Sequence, residues 1–185
     1  MKFLTAAFIT LASSAAMYAS GFGLNINSDD AEFEASVGIN DAFNIQSQTR
    51  YDIHASYLHS DDNLFTVGFG ATNTLDGADS FAFGVGINAV FGDNYTAVPL
   101  YGKLSWILPF DEPIPETSLS LYAAFAPSVL SFSDADSYSE FRFEADSEVI
   151  DHIHIYAGYR NIDTDYETYD YNFNDSWYGG VRFNF

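Results

Sequence analysis

From residue 21 onward, apolar residues recur at every second position. Phe33, Ala35, Val37 and Ile39 alternate with Glu32, Glu34, Ser36 and Gly38. Phe81, Phe83, Val85, Ile87 and Phe91 oppose Ala82, Gly84, Gly86 and Asn88. Phe141, Phe143, Ala145 and Val149 oppose Glu140, Arg142, Glu144, Asp146 and Glu148, and Ile153, Ile155, Ala157 and Tyr159 oppose His152, His154, Tyr156, Gly158 and Arg160. A period of two belongs to a sheet with two different faces. It predicts ten strands, at 21–28, 31–40, 49–59, 63–74, 80–91, 97–109, 117–127, 138–149, 152–162 and 176–185. Helical periodicity is almost absent.

A soluble sandwich alternates too, so other features must decide. The polar face is crowded with charge and glycine rather than built simply for water. The segments run about ten residues, the span of a tilted transmembrane strand. Aromatics gather near strand ends, at Tyr51, Tyr57, Trp106, Tyr159 and Trp177, as interfacial girdles require. Connections after odd strands are polar and acidic ("NSDDA", "HSDDN", "FGDNY", "SFSDADSY", "NIDTDYETYDYNFND"), whereas "VIDH" and "LPFDEPIPET" after even strands are tight or proline-set. Long loops on one side and short turns on the other form the outer-membrane pattern. The expected fold is all-β: a transmembrane antiparallel up-and-down barrel of about ten strands, or eight if the first two segments do not span. A closed barrel leaves no backbone group unpaired in lipid.

Composition narrows the function classes. The chain has 26 acidic and 6 basic residues, a net charge of −20 and 48% hydrophobic residues. Such acidity argues against nucleic acid, since little could neutralise a row of phosphates. The absence of cysteine removes disulfides, thiolate metal sites and cysteine nucleophiles. "GFG" and "GVG" lie within alternating segments with no helix after them, so they are not phosphate loops. The opening "MKFLTAAFITLASSAAMYAS" carries Lys2, an uncharged apolar run and then small residues, the layout of a secretory signal peptide. We assign 1–19 as the leader, cut near Ala19, and 20–185 as the barrel domain.

The remaining basic residues, Arg50, Lys103, Arg142, Arg160 and Arg182, all fall on inward positions, with Glu32, Glu34, Asp52, Glu140, Glu144, Asp146 and Glu148. Lysine or arginine on the lipid face costs about 2–4 kcal/mol at the midplane, so charge belongs inside. These residues are expected to form an ion-paired network filling a narrow lumen; the alternative is the lining of a small-solute or cation channel. No cofactor or metal is expected. His152 and His154 share a face beside Asp151 but lack a third ligand. Asp163, Asp165 and Glu167 have calcium-loop spacing, but Thr168 and Asn174 replace the glycine and glutamate that such a loop needs. His54 and Ser56 place a base and a nucleophile on one face, as in outer-membrane lipid A deacylases, and leave a hydrolase as the enzymatic alternative to a non-enzymatic barrel. The paired acids of the ten-stranded omptin proteases have no counterpart.

"LPFDEPIPETSLSLYAAFAPSVLSF", "IYAGYRNID" and the terminal "WYGGVRFNF" resemble the YfaZ family of predicted outer-membrane proteins. The resemblance implies an exported Gram-negative β-barrel without an established activity and supplies no catalytic residues. In "WYGGVRFNF", Trp177, Phe183 and Phe185 belong to a lipid-facing row, and the terminal aromatic resembles the signal read by the barrel-assembly machinery. The expected surroundings are the cell outer membrane, its lipid and lipopolysaccharide. The expected state is a monomer with a structural or surface-interaction role and at most a narrow pore.

Overall fold

The computed structural model describes residues 21–60, 62–93, 95–110, 114–133, 135–166 and 169–185, without the side chains of Asp41, Tyr169 and Asp170. The leader assigned to 1–19 lies outside these residues. Ten long strands form the wall: β1 Gly21–Ile26, β2 Ala31–Gly38, β3 Arg50–His59, β4 Asn63–Leu75, β5 Ala78–Phe91, β7 Leu100–Ile107, β8 Thr117–Ala126, β10 Ala135–Ile150, β11 Ile153–Tyr166 and β12 Tyr169–Asn184. Two short strands, β6 Tyr95–Ala97 and β9 Ser131–Ser133, pair with each other at the loop end. Every pairing is antiparallel, and the ring runs β4-β3-β2-β1-β12-β11-β10-β8-β7-β5 before β5 returns to β4. The barrel is therefore closed with ten strands. The last strand meets the first in register, with Phe22 opposite Phe183 and Leu24 opposite Val181, so neither terminal strand is left as an open edge.

Alternation sorts the side chains as the sequence predicts. Phe33, Ile53, Phe69, Phe83, Ile87, Leu104, Phe141, Ile155 and Trp177 are exposed on the outer wall. In lipid this is the stable arrangement, because a barrel needs an apolar belt outside and satisfied polar groups within. The turns follow from local chemistry. Gly77 closes the β4–β5 turn at φ 78°, a conformation that a Cβ would disfavour. Asp151 and His152 close the β10–β11 turn, where the Glu148 carboxylate accepts the His152 amide at 2.9 Å.

Three expectations need correction. A five-residue helix, α1 (Ile39–Phe43), fills the β2–β3 connection. It ends where Asn44 turns to φ 53°, and the Asn40 side chain bridges to Thr49 and Tyr51. Second, most of the segment expected as a long acidic loop after residue 162 is strand. Asp163 and Asp165 stand on β11 opposite Asn172 and Asp170 of β12, while Glu167 and Thr168 lie outside the described residues. Cross-strand bonds from Asn172 to Asp163 at 2.7 Å and from Ser137 to Asp165 at 2.6 Å support this polar hairpin. Third, the strand expected at 97–109 is interrupted at Val98 and Pro99, where Pro99 has no amide to give the ladder. The strand expected at 117–127 is present as β8, and a 3-10 turn over Ser128–Leu130 leads from it into β9.

Candidate functional site

The inward positions build three levels between the loop end and the turn end. At the loop end lies a sealed apolar cluster of Leu58, Leu64, Val90, Tyr95, Ala97, Ala126, Ala135, Tyr138, Ile162 and Phe173, all buried. Leu64 on β4 and Ile162 on β11 come from opposite sides of the ring, so the cluster crosses the bore. A bulge in the β11–β12 ladder leaves Phe173 without a partner. Two consecutive residues then face inward: Phe173 joins the cluster, and Asn174 reaches Arg160 at 3.0 Å. Tyr95 enters from β6, in register with Ser133 of β9. Sequence reasoning missed this lid because its residues alternate in the same way as the wall's.

Beneath the lid lie the charges. Arg142 and Arg160 are direct cross-strand partners, a like-charge pairing that destabilises a sheet unless it is neutralised. Glu32, from the other side of the bore, neutralises both. Arg142 grips it with two nitrogens at 2.9 Å each, and Arg160 Nη1 also reaches it. Asn25 donates to Glu32 at 3.0 Å, and Arg142 Nε donates to Glu140. The two-nitrogen grip is the strong form of an arginine–carboxylate contact. Glu140 in turn accepts from Tyr138 at 2.9 Å, which couples this level to the lid. Nearer the turn end, Arg182 binds Glu144 at 3.1 Å, Asp146 at 2.9 Å and Glu34 at 3.2 Å, with its guanidinium 4.3 Å above the Tyr156 ring. Asp146 also holds His154 Nδ1 at 2.6 Å.

The structure thus joins Glu32, Glu34, Glu140, Arg142, Glu144, Asp146, Arg160 and Arg182 into one set of contacts. It leaves four of the expected residues apart. Asp52 pairs with His54 at 2.9 Å on the far wall. Glu148 caps a turn. Arg50 and Lys103 are exposed and make no ion pair with any described residue. Outside the strands, the loop residue Asp30 extends the set, 3.9 Å from Arg160 and 2.8 Å from Asn27. Burial raises its carboxyl pKa, but bonds from Ser60, Asn27 and Asn174 and the charge of Arg160 outweigh that and hold it below the usual range.

The remaining candidates are spoken for. His54 Nε2 meets Asn88 at 3.0 Å, and no hydrogen bond joins it to Ser56. Asn88 donates onward to Tyr122 at 2.8 Å, which links β5 to β8 past the intervening β7. His154 Nε2 is met by Asn184 at 3.0 Å. No group of three or more metal-ligating side chains forms among the described residues. At the turn end the lumen opens into a cavity of about 210 Å³, lined by Thr74, Ser80, Ala82, Ser105, Ser118 and His154 among others.

A family model described as "YfaZ precursor" matches residues 1–185. No curated protein matches the chain. One similar solved structure is titled "NanC porin structure in rhombohedral crystal form". It shares 13% identity over 89% of this chain and 98% of that one, at a TM-score of 0.43.

Proposed function

Because the chain belongs to the YfaZ family over its whole length, we propose that it is a sealed outer-membrane barrel, serving structure or surface interaction rather than constant solute flow. The apolar cluster across the loop end carries this reading. Tyr95, Tyr138 and Phe173 stand buried together at that end of the bore. The short turns and both ends of the wall then face the periplasm, and the acidic loops face outward. Residues 1–19 act as an export leader, in keeping with a family described as a precursor. Outer-membrane lipid and lipopolysaccharide surround the monomer. No catalytic role falls to His54 and Ser56.

Planar-bilayer recording on refolded protein tests the seal. The wild type is expected to stay closed and Tyr138→Ala to conduct. Steady wild-type conductance that changes on neutralising Glu144 or Arg142 would establish the channel reading instead. Trp177, Phe183 and Phe185 form the assembly signal in this proposal, so deleting Phe185 should lower the fraction that shows a heat-modifiable gel shift in the outer membrane. Normal insertion without it would remove that role.

A further inference from the structure

The part of the lid that carries Tyr95 does not belong to the ring. β6 and β9 pair with each other and, through Val90–Ala97 and Phe91–Thr96, with the end of β5. The pairs β5–β7, β7–β8 and β8–β10 close the wall without them. Val98 and Pro99 divide β6 from β7, and Pro127 with its 3-10 turn divides β9 from β8. Proline gives no amide to a ladder, so no ladder runs unbroken through either point. The result is a two-stranded ribbon hinged at two breaks. Only two residue pairs tie it to β5, whereas β5 and β7 share seven.

Three features make the closed position of this ribbon costly. The first is the Tyr95 hydroxyl, which is buried in the lid. Its neighbour, the Thr164 hydroxyl, lies outside hydrogen-bonding geometry, and neither oxygen has another partner among the described residues. A buried polar group without a partner destabilises the state that buries it, and both hydroxyls regain partners when water reaches them. The second is Ser133, in register with Tyr95, which sits at φ 67°. That left-handed conformation is strained for a residue with a side chain. The third is the socket. The Tyr95 ring lies 6.3 to 6.4 Å from those of Tyr138, Tyr166 and Phe173, toward the far end of the range of about 4.5–7 Å for aromatic pairs.

We infer that the β6–β9 ribbon is a gate. It releases its two pairs with β5, swings about Val98–Pro99 and Pro127, and draws Tyr95 out of the socket. The ten-strand ring stays closed throughout, and water enters the lumen from the loop end. The inference rests on the sealed-barrel reading and adds that the seal is reversible. The shut state predominates, in keeping with a barrel that carries no steady current.

Thiol labelling tests the gate. The chain has no cysteine, so Thr164→Cys puts a single thiol beside Tyr95 at a fully buried position. Refolded protein in detergent micelles is treated with iodoacetamide and followed by mass spectrometry. Val129→Cys, in the exposed 3-10 turn, sets the unprotected rate. Thr164→Cys should label to completion, but far more slowly. In that background Tyr95→Phe removes the unpaired hydroxyl and keeps the ring, and should slow labelling at least about fivefold. At Gly92 a Cβ would lie 2.5 Å from the Tyr95 ring, so Gly92→Ala should speed labelling by a factor of about five or more. Glu32→Ala weakens the barrel below the lid and should leave the rate unchanged, which separates gate opening from global unfolding. No labelling, a rate indifferent to Tyr95→Phe and Gly92→Ala, or a rate raised by Glu32→Ala would each make the ribbon a fixed plug. Any of these overturns the gate and leaves the seal standing. Labelling as fast as at Val129→Cys would overturn the gate and the sealed barrel together.

Discussion

On β10, β11 and β12 the inward positions carry Arg142, Glu144, Tyr156, Arg160, Tyr178 and Arg182, whereas on β4 and β5 they carry Gly68, Gly70, Thr72, Gly84 and Gly86. The outer faces of the two regions are alike in being mostly apolar, with Phe65, Phe69, Phe83 and Ile87 on one and Phe141, Ile155, Trp177 and Val181 on the other. The difference shows that the outer face fits the barrel to lipid while the inner face independently sets how much lumen remains. Long charged and aromatic side chains fill one side, where Glu144, Tyr156, Arg160 and Tyr178 are buried. Small ones leave the other side bare near the turn end. Even the bare wall is filled where another element leans over it. The Tyr101 ring covers Gly86, as Tyr156 covers Gly180 and Tyr178 covers Gly158 on the filled side. In each pair the tyrosine and glycine are cross-strand partners, so an aromatic occupies the place of the missing side chain.

The largest effect should come from breaking the filled side at its centre. Glu32→Ala strips Arg142 and Arg160 of their shared carboxylate inside the wall. Leaving buried charges uncompensated costs about 3–5 kcal/mol, read as a lower midpoint for urea unfolding in detergent. An unchanged midpoint would mean that water takes over the role of Glu32 and that the filled side is looser than its contacts suggest. A smaller effect should follow from overfilling the bare side. At Gly86 a Cβ would lie 2.3 Å from the Phe69 carbonyl and 2.4 Å from the Tyr101 ring. Gly86→Val should therefore cost about 1–3 kcal/mol. Gly102, on the outer wall, meets nothing within 4 Å, so Gly102→Ala should stay within about 0.5 kcal/mol. Equal costs at the two glycines would show that backbone flexibility, not packing, governs the bare side.

The smallest effect concerns Asp30, which ties the filled side to its loop. Its carboxyl pKa is lower folded than unfolded. The stabilisation is therefore complete above the ordinary carboxylate value of about 4, and it is lost as pH falls through the lower folded value. Thermal melts of Asp30→Asn should be less sensitive to acid over that window than the wild type. Parallel acid profiles would remove Asp30 as a contributor.

Strand existence and facing were legible in the chain because a two-residue period survives any detail of packing. Phe33, Val37, Phe141 and Ile155 declare the lipid side by position alone, and "WYGGVRFNF" declares a closing strand. The charged interior was legible as a set of residues but not as a set of pairs. Arg142, Arg160 and Glu32 meet because β2 and β10 lie across the bore from each other, and strand order around a ring has no local sequence signal. Arg50 and Lys103 look like the other basic residues in the chain, yet the bare wall leaves them without a carboxylate. The polar hairpin after residue 162 was missed because Asp, Asn and Thr-rich segments carry turn chemistry, and only cross-strand bonds such as Asn172 to Asp163 hold them extended. Facing thus came from covalent order and alternation. The lid and the shared carboxylate came from closure, which brings residues more than 100 positions apart, such as Glu32 and Arg142, within hydrogen-bond reach.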